Sequence, residues 1–285
     1  MTRLAGAISG QFGVQMYESG ADTKPATGNV VGHVRVLSSV RSPQLGNVRD
    51  VYVYLPPSYK GSARHYPVIY MHDGQNLFDA SLSFAGEWGV DETMERLAPL
   101  GYEAIVVAIP NMGGERSDEY SPWRDRRAGG GRGNEYLSFI IDTLKPRIDR
   151  RFRTRREREH TGIAGSSMGG LISLYGFLRH PGVFGFCGAM SPSLWFAGGA
   201  IFATAAGIER WFGRIYLDIG TEEGRRHVRD TQRMYRLLRW KCPYPRDQLL
   251  HVVDEGAHHN EHAWAGRFEH AIKFLLPRRK ADLTW

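Results

Sequence analysis

Two cysteines in 285 residues, Cys187 and Cys242, are too few for a disulfide framework. Cys187 lies in an apolar, strand-like run where cysteine behaves as a small hydrophobe, so a reducing cytoplasm is the expected compartment. No stretch approaches the roughly 20 consecutive apolar residues that a membrane helix needs. There is no internal repeat, no Ser/Pro linker and no low-complexity tract beyond the short AGGGRG at 128–133. The opening MTRLAGAISGQFGVQ breaks its apolar character with Gly, Ser and Gln before a signal-peptide core can form. Residues 1–30 therefore read as an untargeted leader and 31–285 as one domain. With 42% hydrophobic and 24% charged residues the composition is that of an ordinary globular protein. A chain near this length hides roughly 75% of the surface that its unfolded form exposes, so its core needs neither metal nor disulfide.

The net charge of +7 comes largely from arginine, concentrated at 150–160 (RRFRTRREREH) and 123–133 (WRDRRAGGGRG). The first run also holds Glu157 and Glu159, with Asp149 beside it, and reads as a solvated helix end. No nucleic-acid reader motif accompanies either run, so no nucleic-acid partner is expected. The second cluster could steer an anionic substrate.

Apolar runs bounded by Pro, Gly, Asn and Asp predict eight strands, at 30–38, 49–57, 66–73, 103–111, 161–166, 184–192, 214–220 and 249–256. Helical spacing of apolar residues predicts helices within 88–101, 136–148, 167–180, 228–240 and 261–276, with Pro146 kinking the second. Strands that alternate with helices imply a mostly parallel sheet covered on both faces, with the first two strands forming a hairpin at one edge. The segment between the sixth and seventh strands is too short for a large lid. In such sheets ligands gather beyond the carboxyl ends of the strands.

The fifth strand runs into Gly165-Ser166-Ser167-Met168-Gly169-Gly170 and then a helical segment. That is GxSxG in the strand–turn–helix context of a nucleophile elbow, which makes Ser167 the candidate nucleophile. A serine hydroxyl needs an imidazole to take its proton. His258, His259 and His262 all follow the eighth strand, and His259 sits in the loop just before a helix. The orienting acid belongs after the seventh strand, where Glu223 is the first choice, Glu222 the neighbour and Asp218 the third. Two oxyanion donors are expected from the backbone N–H groups of Met168 and Gln75. His72 and Asp73 look like residues that shape the loop before Gln75. His258 and His262 are four apart, a spacing that would suit zinc only if both were helical; with no convincing carboxylate partner, no metal and no cofactor are expected.

The blocks SPQLGNVRDVYVYLPPSY, YPVIYMHDGQNLF, GIAGSSMGGLISLYGFLRHPGVFG, SPSLW, LDIGTEEG and GAHHNEHAWAGRF recur in order over residues 40–276. In them the chain resembles an esterase family of α/β-hydrolases that includes enterochelin esterases, feruloyl and acetyl-xylan esterases, S-formylglutathione hydrolases and mycolyltransferases. The enterochelin-esterase-like branch, which cleaves catecholate siderophore esters, is the nearest in HDGQNLFD and SPSLWF. The resemblance implies the α/β-hydrolase fold, Ser167 as nucleophile, His259 rather than His258 as base, Glu223 as acid and Gln75 as an oxyanion donor.

The expected function is a serine carboxylesterase acting on a small-molecule ester through an acyl-enzyme, with Arg116, Trp123, Arg124 and Trp195 available to bind an acidic aromatic acyl group. An acyltransferase using the same residues and a non-catalytic binding protein of the same fold are the alternatives.

Overall fold

The computed structural model describes residues 30–83, 85–208, 213–242 and 244–278. Nearly all of the leader expected at 1–30 lies outside the described residues. Eight strands form one sheet: β1 (His33–Ser42), β2 (Asn47–Leu55), β3 (Val68–His72), β4 (Ile105–Ile109), β5 (Thr161–Ser166), β6 (Phe186–Met190), β7 (Arg214–Gly220) and β8 (Leu249–Asp254). Their spatial order is β1-β2-β4-β3-β5-β6-β7-β8. β1 and β2 pair antiparallel, as does β2 with β4, and every later pairing is parallel. This is the α/β-hydrolase sheet.

The alternation of side chains explains why the central strands are apolar throughout. On β3, Val68 and Tyr70 enter one core, while Ile69 and Met71 enter the other. On β4, Ile105, Val107 and Ile109 are separated from Val106 and Ala108 in the same way. One face is covered by α2 (Gly133–Ser138), α3 (Lys145–Arg151), α4 (Met168–Arg179), α5 (Ile201–Ala206) and α6 (Arg225–Arg236). The other face is covered by α1 (Val90–Leu97) and α7 (Glu261–Leu275).

Three local departures from the periodicity have physical causes. β1 runs on to Ser42 because a bulge between Leu37 and Val40, with Ser39 at φ 53°, restores its register. Pro146 does not end its helix: a π-helical turn, Phe139–Leu144, joins α2 to α3 and absorbs the missing N–H. α5 was not anticipated, since it is only six residues long and follows Gly198 and Gly199.

β3 lies between β4 and β5, so the chain leaves β3 in one direction and returns to its other side for β5. That reversal opens a crevice at the carboxyl ends of β3 and β5. The loop after β3 and the turn after β5 face it.

Candidate active site

Ser167 sits between β5 and α4 with φ 55° and ψ −121°, a strained conformation for any residue with a side chain. Small neighbours permit it. A Cβ on Gly165 would come within 2.9 Å of the His72 ring and 3.0 Å of the Gly169 backbone, and one on Gly170 within 2.9 Å of the Met190 carbonyl. The turn is further pinned by Ser167 N–H donating to Met190 O (3.0 Å) and by Ser193 N–H donating to Ser167 O (2.9 Å).

The hydroxyl of Ser167 lies 3.0 Å from His259 Nε2, and His259 Nδ1 lies 2.6 Å from Glu223 Oε2. The three side chains come from the ends of β5, β7 and β8, and only the sheet brings them together. Ser193 Oγ is 3.3 Å from Ser167 Oγ, a second hydroxyl beside the first. The His259 ring stands edge-on to Trp264, with centroids 4.9 Å apart and planes at 86°.

Glu223 is buried, and its Oε1 also accepts from Gly220 N–H (2.8 Å) and from the Ser191 hydroxyl (2.6 Å). Burial works to raise this carboxyl, but the hydrogen bonds from His259, Ser191 and Gly220 outweigh it and hold it below the usual carboxylate range. Glu222 is exposed, and its backbone N–H donates to Ala257 O (3.1 Å). Asp218, the third acid considered, is fully buried and turned to Arg267 Nε (2.9 Å) and Ser191 N–H (2.8 Å).

Met168 is the first residue of α4, so its N–H has no partner within the helix. Gln75 lies in the 3-10 turn Gly74–Asn76, one residue before the turn's first internal hydrogen bond, Asn76 N–H to Asp73 O. That turn is braced from several sides. Asp73 is left-handed at φ 53°, its N–H donates to Tyr120 Oη (3.0 Å), and its carboxylate takes a fork from Arg116 (2.7 and 2.8 Å) and a bond from Asn111 Nδ2 (2.6 Å). Glu119, next to Tyr120, is held by a buried two-point contact with Arg49 (2.6 and 2.8 Å). His72 is buried, with Nδ1 2.8 Å from the Tyr136 hydroxyl, and burial drives its ring down to about 3, so it is neutral.

The four rim residues named from the sequence are spread apart. Arg116 commits two guanidinium nitrogens to Asp73. Trp123 packs edge-on to Tyr175 of α4 (5.1 Å), and Arg124 is exposed in a two-residue ribbon opposite Gly130. Trp195 follows Ser193 by two residues and stacks on His227 (6.4 Å, 21°).

His258 and His262 are exposed and belong to no cluster of three metal-ligand atoms among the described residues. The one such cluster is Glu87, Asp91 and Glu92 at the start of α1, where burial and a hydrogen bond with Glu92 push Asp91 up to about 9.

Sequence reasoning missed Ser191 and Arg267, which face Glu223, and Trp264, which donates to Ser191. Arg267 had a visible signal: it occupies the buried stripe of α7 with Trp264, Phe268 and Ala271, where an arginine needs partners.

The family described as "Putative esterase" matches residues 42–275. The protein YbbA of Bacillus subtilis (strain 168) is 30% identical over 258 residues, covering 86% of this chain and 99% of its own. The endo-1,4-beta-xylanase/feruloyl esterase of Xylanibacter ruminicola is 29% identical over 154 residues, covering 53% of this chain and 20% of that protein. Among solved structures, the enterobactin esterase Fes from Shigella flexneri, determined in the presence of enterobactin, superposes with a TM-score of 0.68 at 18% identity, covering 87% of this chain and 60% of that one. With a serine elbow on an α/β-hydrolase sheet and the family matched over most of its length, the chain belongs to this esterase family, whose chemistry is the hydrolysis of carboxylic esters.

Proposed function

We propose that the protein is a serine carboxylesterase that works through an acyl-enzyme. The observation that supports this best is the unbroken line of contacts from Glu223 through His259 to Ser167, at 2.6 and 3.0 Å. A carboxylate only accepts hydrogen bonds, so Glu223 fixes the hydrogen of His259 on Nδ1 and leaves the Nε2 lone pair facing the serine. Ser167 Oγ attacks the ester carbonyl as His259 takes its proton. The backbone N–H groups of Met168 and Gln75 stabilise the oxyanion, and His259 then returns the proton to the leaving alcohol. Water, deprotonated by the same imidazole, attacks the acyl-enzyme and releases the acid. The base already stands beside the nucleophile, so no step calls for a metal.

The proposed substrate is a small-molecule ester of an aromatic acid. Support comes from the feruloyl and enterobactin esterases named above and from Trp123 and Trp195, which flank the elbow helix and the Ser193 loop. The two thiols are buried and unpaired, in keeping with the cytoplasm as the proposed compartment. Among the described residues no helix is long and apolar enough to cross a membrane.

The test is turnover of p-nitrophenyl, feruloyl and catecholate esters by the wild type and by Ser167→Ala, together with labelling by a fluorophosphonate. Hydrolysis and labelling that both vanish in the variant are expected. Activity retained in Ser167→Ala would overturn the mechanism, and transfer to added alcohols in preference to water would make the protein an acyltransferase.

A further inference from the structure

A hydroxyl group has one hydrogen and two lone pairs. At Ser191 the surroundings dictate how all three are used. Trp264 Nε1–H donates to its oxygen at 2.9 Å, and Arg267 Nη2–H donates at 2.9 Å from another side. With both lone pairs engaged by groups that can only donate, the single hydrogen must point elsewhere. It meets Glu223 Oε1 at 2.6 Å. The donors are themselves fixed: Arg267 is buried and held by Asp218 Oδ2 (2.9 Å) and Asp254 Oδ2 (3.2 Å), and Trp264 sits on α7 under the His259 ring. Ser191 adopts φ 41°, a left-handed conformation unfavourable for serine, and two bonds from its N–H to Asp218 hold it there (2.8 Å to Oδ1, 3.2 Å to the backbone oxygen).

We propose that Ser191 is a positioning residue whose hydroxyl, locked by Trp264 and Arg267 as an obligate donor, keeps Glu223 an ionised acceptor and so fixes the tautomer and orientation of His259. The inference rests on the esterase reading above and deepens it.

Every group that meets Glu223 is a donor: Ser191 Oγ–H, Gly220 N–H and His259 Nδ1–H, with the Arg267 guanidinium 3.6 Å away. The negative charges nearby, Asp218 and Asp254, are both turned to Arg267. A proton on Glu223 Oε1 would face a hydroxyl with no lone pair left to receive it. Protonation is thus disfavoured by the arrangement of donors as well as by the charge on Arg267.

Deleting the hydroxyl removes one donor from Glu223 and makes its carboxylate more basic. With Oε1 no longer anchored by Ser191, the carboxylate holds the His259 ring less firmly in register with Ser167, and its greater basicity favours the protonated, inactive form of the site. The acid limb of the pH profile should move upward.

The experiment uses Ser191→Gly and Ser191→Ala in the full chain. Glycine accepts φ 41° without strain, so loss of function in Ser191→Gly cannot be assigned to a misfolded turn. With a p-nitrophenyl ester, both variants should lose kcat by roughly tenfold to a hundredfold, the range set by losing a hydrogen bond to a charged group, with KM little changed. The acid limb of kcat/KM should shift to higher pH. Proton NMR of the unliganded protein gives a readout independent of turnover: the downfield His259 Nδ1–H resonance should move in both variants. A folded Ser191→Gly protein with wild-type kcat, pH profile and Nδ1–H resonance would overturn the proposal. An inactive wild type whose Nδ1–H resonance still responds to Ser191→Gly would instead sink the esterase reading and leave the positioning role standing.

Discussion

Glu223 Oε2 stands 2.6 Å from His259 Nδ1, while Glu222, its immediate neighbour, is exposed to solvent. Two adjacent carboxylates thus have unrelated environments, and the difference can be read in kinetics. Glu223→Gln removes the negative charge and can present an amide N–H to Nδ1, favouring the wrong tautomer; kcat/KM on a p-nitrophenyl ester should fall by up to about 10⁴-fold. Glu222→Gln should stay within about twofold of the wild type, as surface substitutions usually do. The reverse ranking would move the acid to Glu222.

Arg116 divides two uses of the rim. Its fork onto Asp73 shapes the turn that carries Gln75, so Arg116→Ala should lower kcat for neutral esters roughly tenfold or more, in line with loss of a charge-assisted contact. Arg116→Lys should not restore it, because an ammonium cannot form the planar fork. A rise in KM confined to anionic substrates, with kcat intact, would place Arg116 on the substrate instead.

Two glycines should respond to alanine with opposite signs. In Gly170→Ala the new methyl meets the Met190 carbonyl at 2.9 Å and the Pro192 backbone at 3.1 Å, which should cost about 1–3 kcal/mol. Gly266 is exposed within α7 with open space around it, so Gly266→Ala should stabilise the fold by about 0.5–1 kcal/mol. Denaturant titration of both variants checks the pair; equal destabilisation would contradict the packing described for the elbow.

The buried ring of His72 links stability to pH. Its folded value is depressed to about 3 from an ordinary 6.5, so between those values the unfolded chain binds the extra proton. The contribution is fully present above about pH 6.5 and declines as the pH falls toward 3, by up to about 1.4 kcal/mol per pH unit. His251, pushed down to about 4 by burial, acts in the same direction. Unfolding free energies measured at pH 7 and pH 4.5 should therefore differ less in His72→Asn than in the wild type; equal differences would show that His72 is not buried neutral.

Local signals were enough to outline the sheet, since β3, β4 and β5 are short apolar runs between turn residues, and GxSxG lies at a strand-to-helix turn. Ser167, Glu223 and His259 could be named because each follows a strand end. Which of two adjacent glutamates or three histidines turns inward depends on φ and ψ in the loops, and in the sequence alone only family resemblance separated the histidines. The environment of Glu223 was not legible at all: Ser191 follows β6 while Trp264 and Arg267 lie on α7, and only the packing of α7 on the sheet brings them together. The π-helical turn before Pro146 was equally hidden, because it is a backbone response to one missing donor.

A Cβ at Gly220 would lie 2.2 Å from the carbonyl oxygen of Ala257, and the Glu222 N–H donates to that same oxygen. The segment bearing the carboxylate and the segment bearing the imidazole are thereby pressed together at Ala257. Any side chain at Gly220 would wedge between them, so a change at a residue that carries no chemistry of its own would part Glu223 from His259.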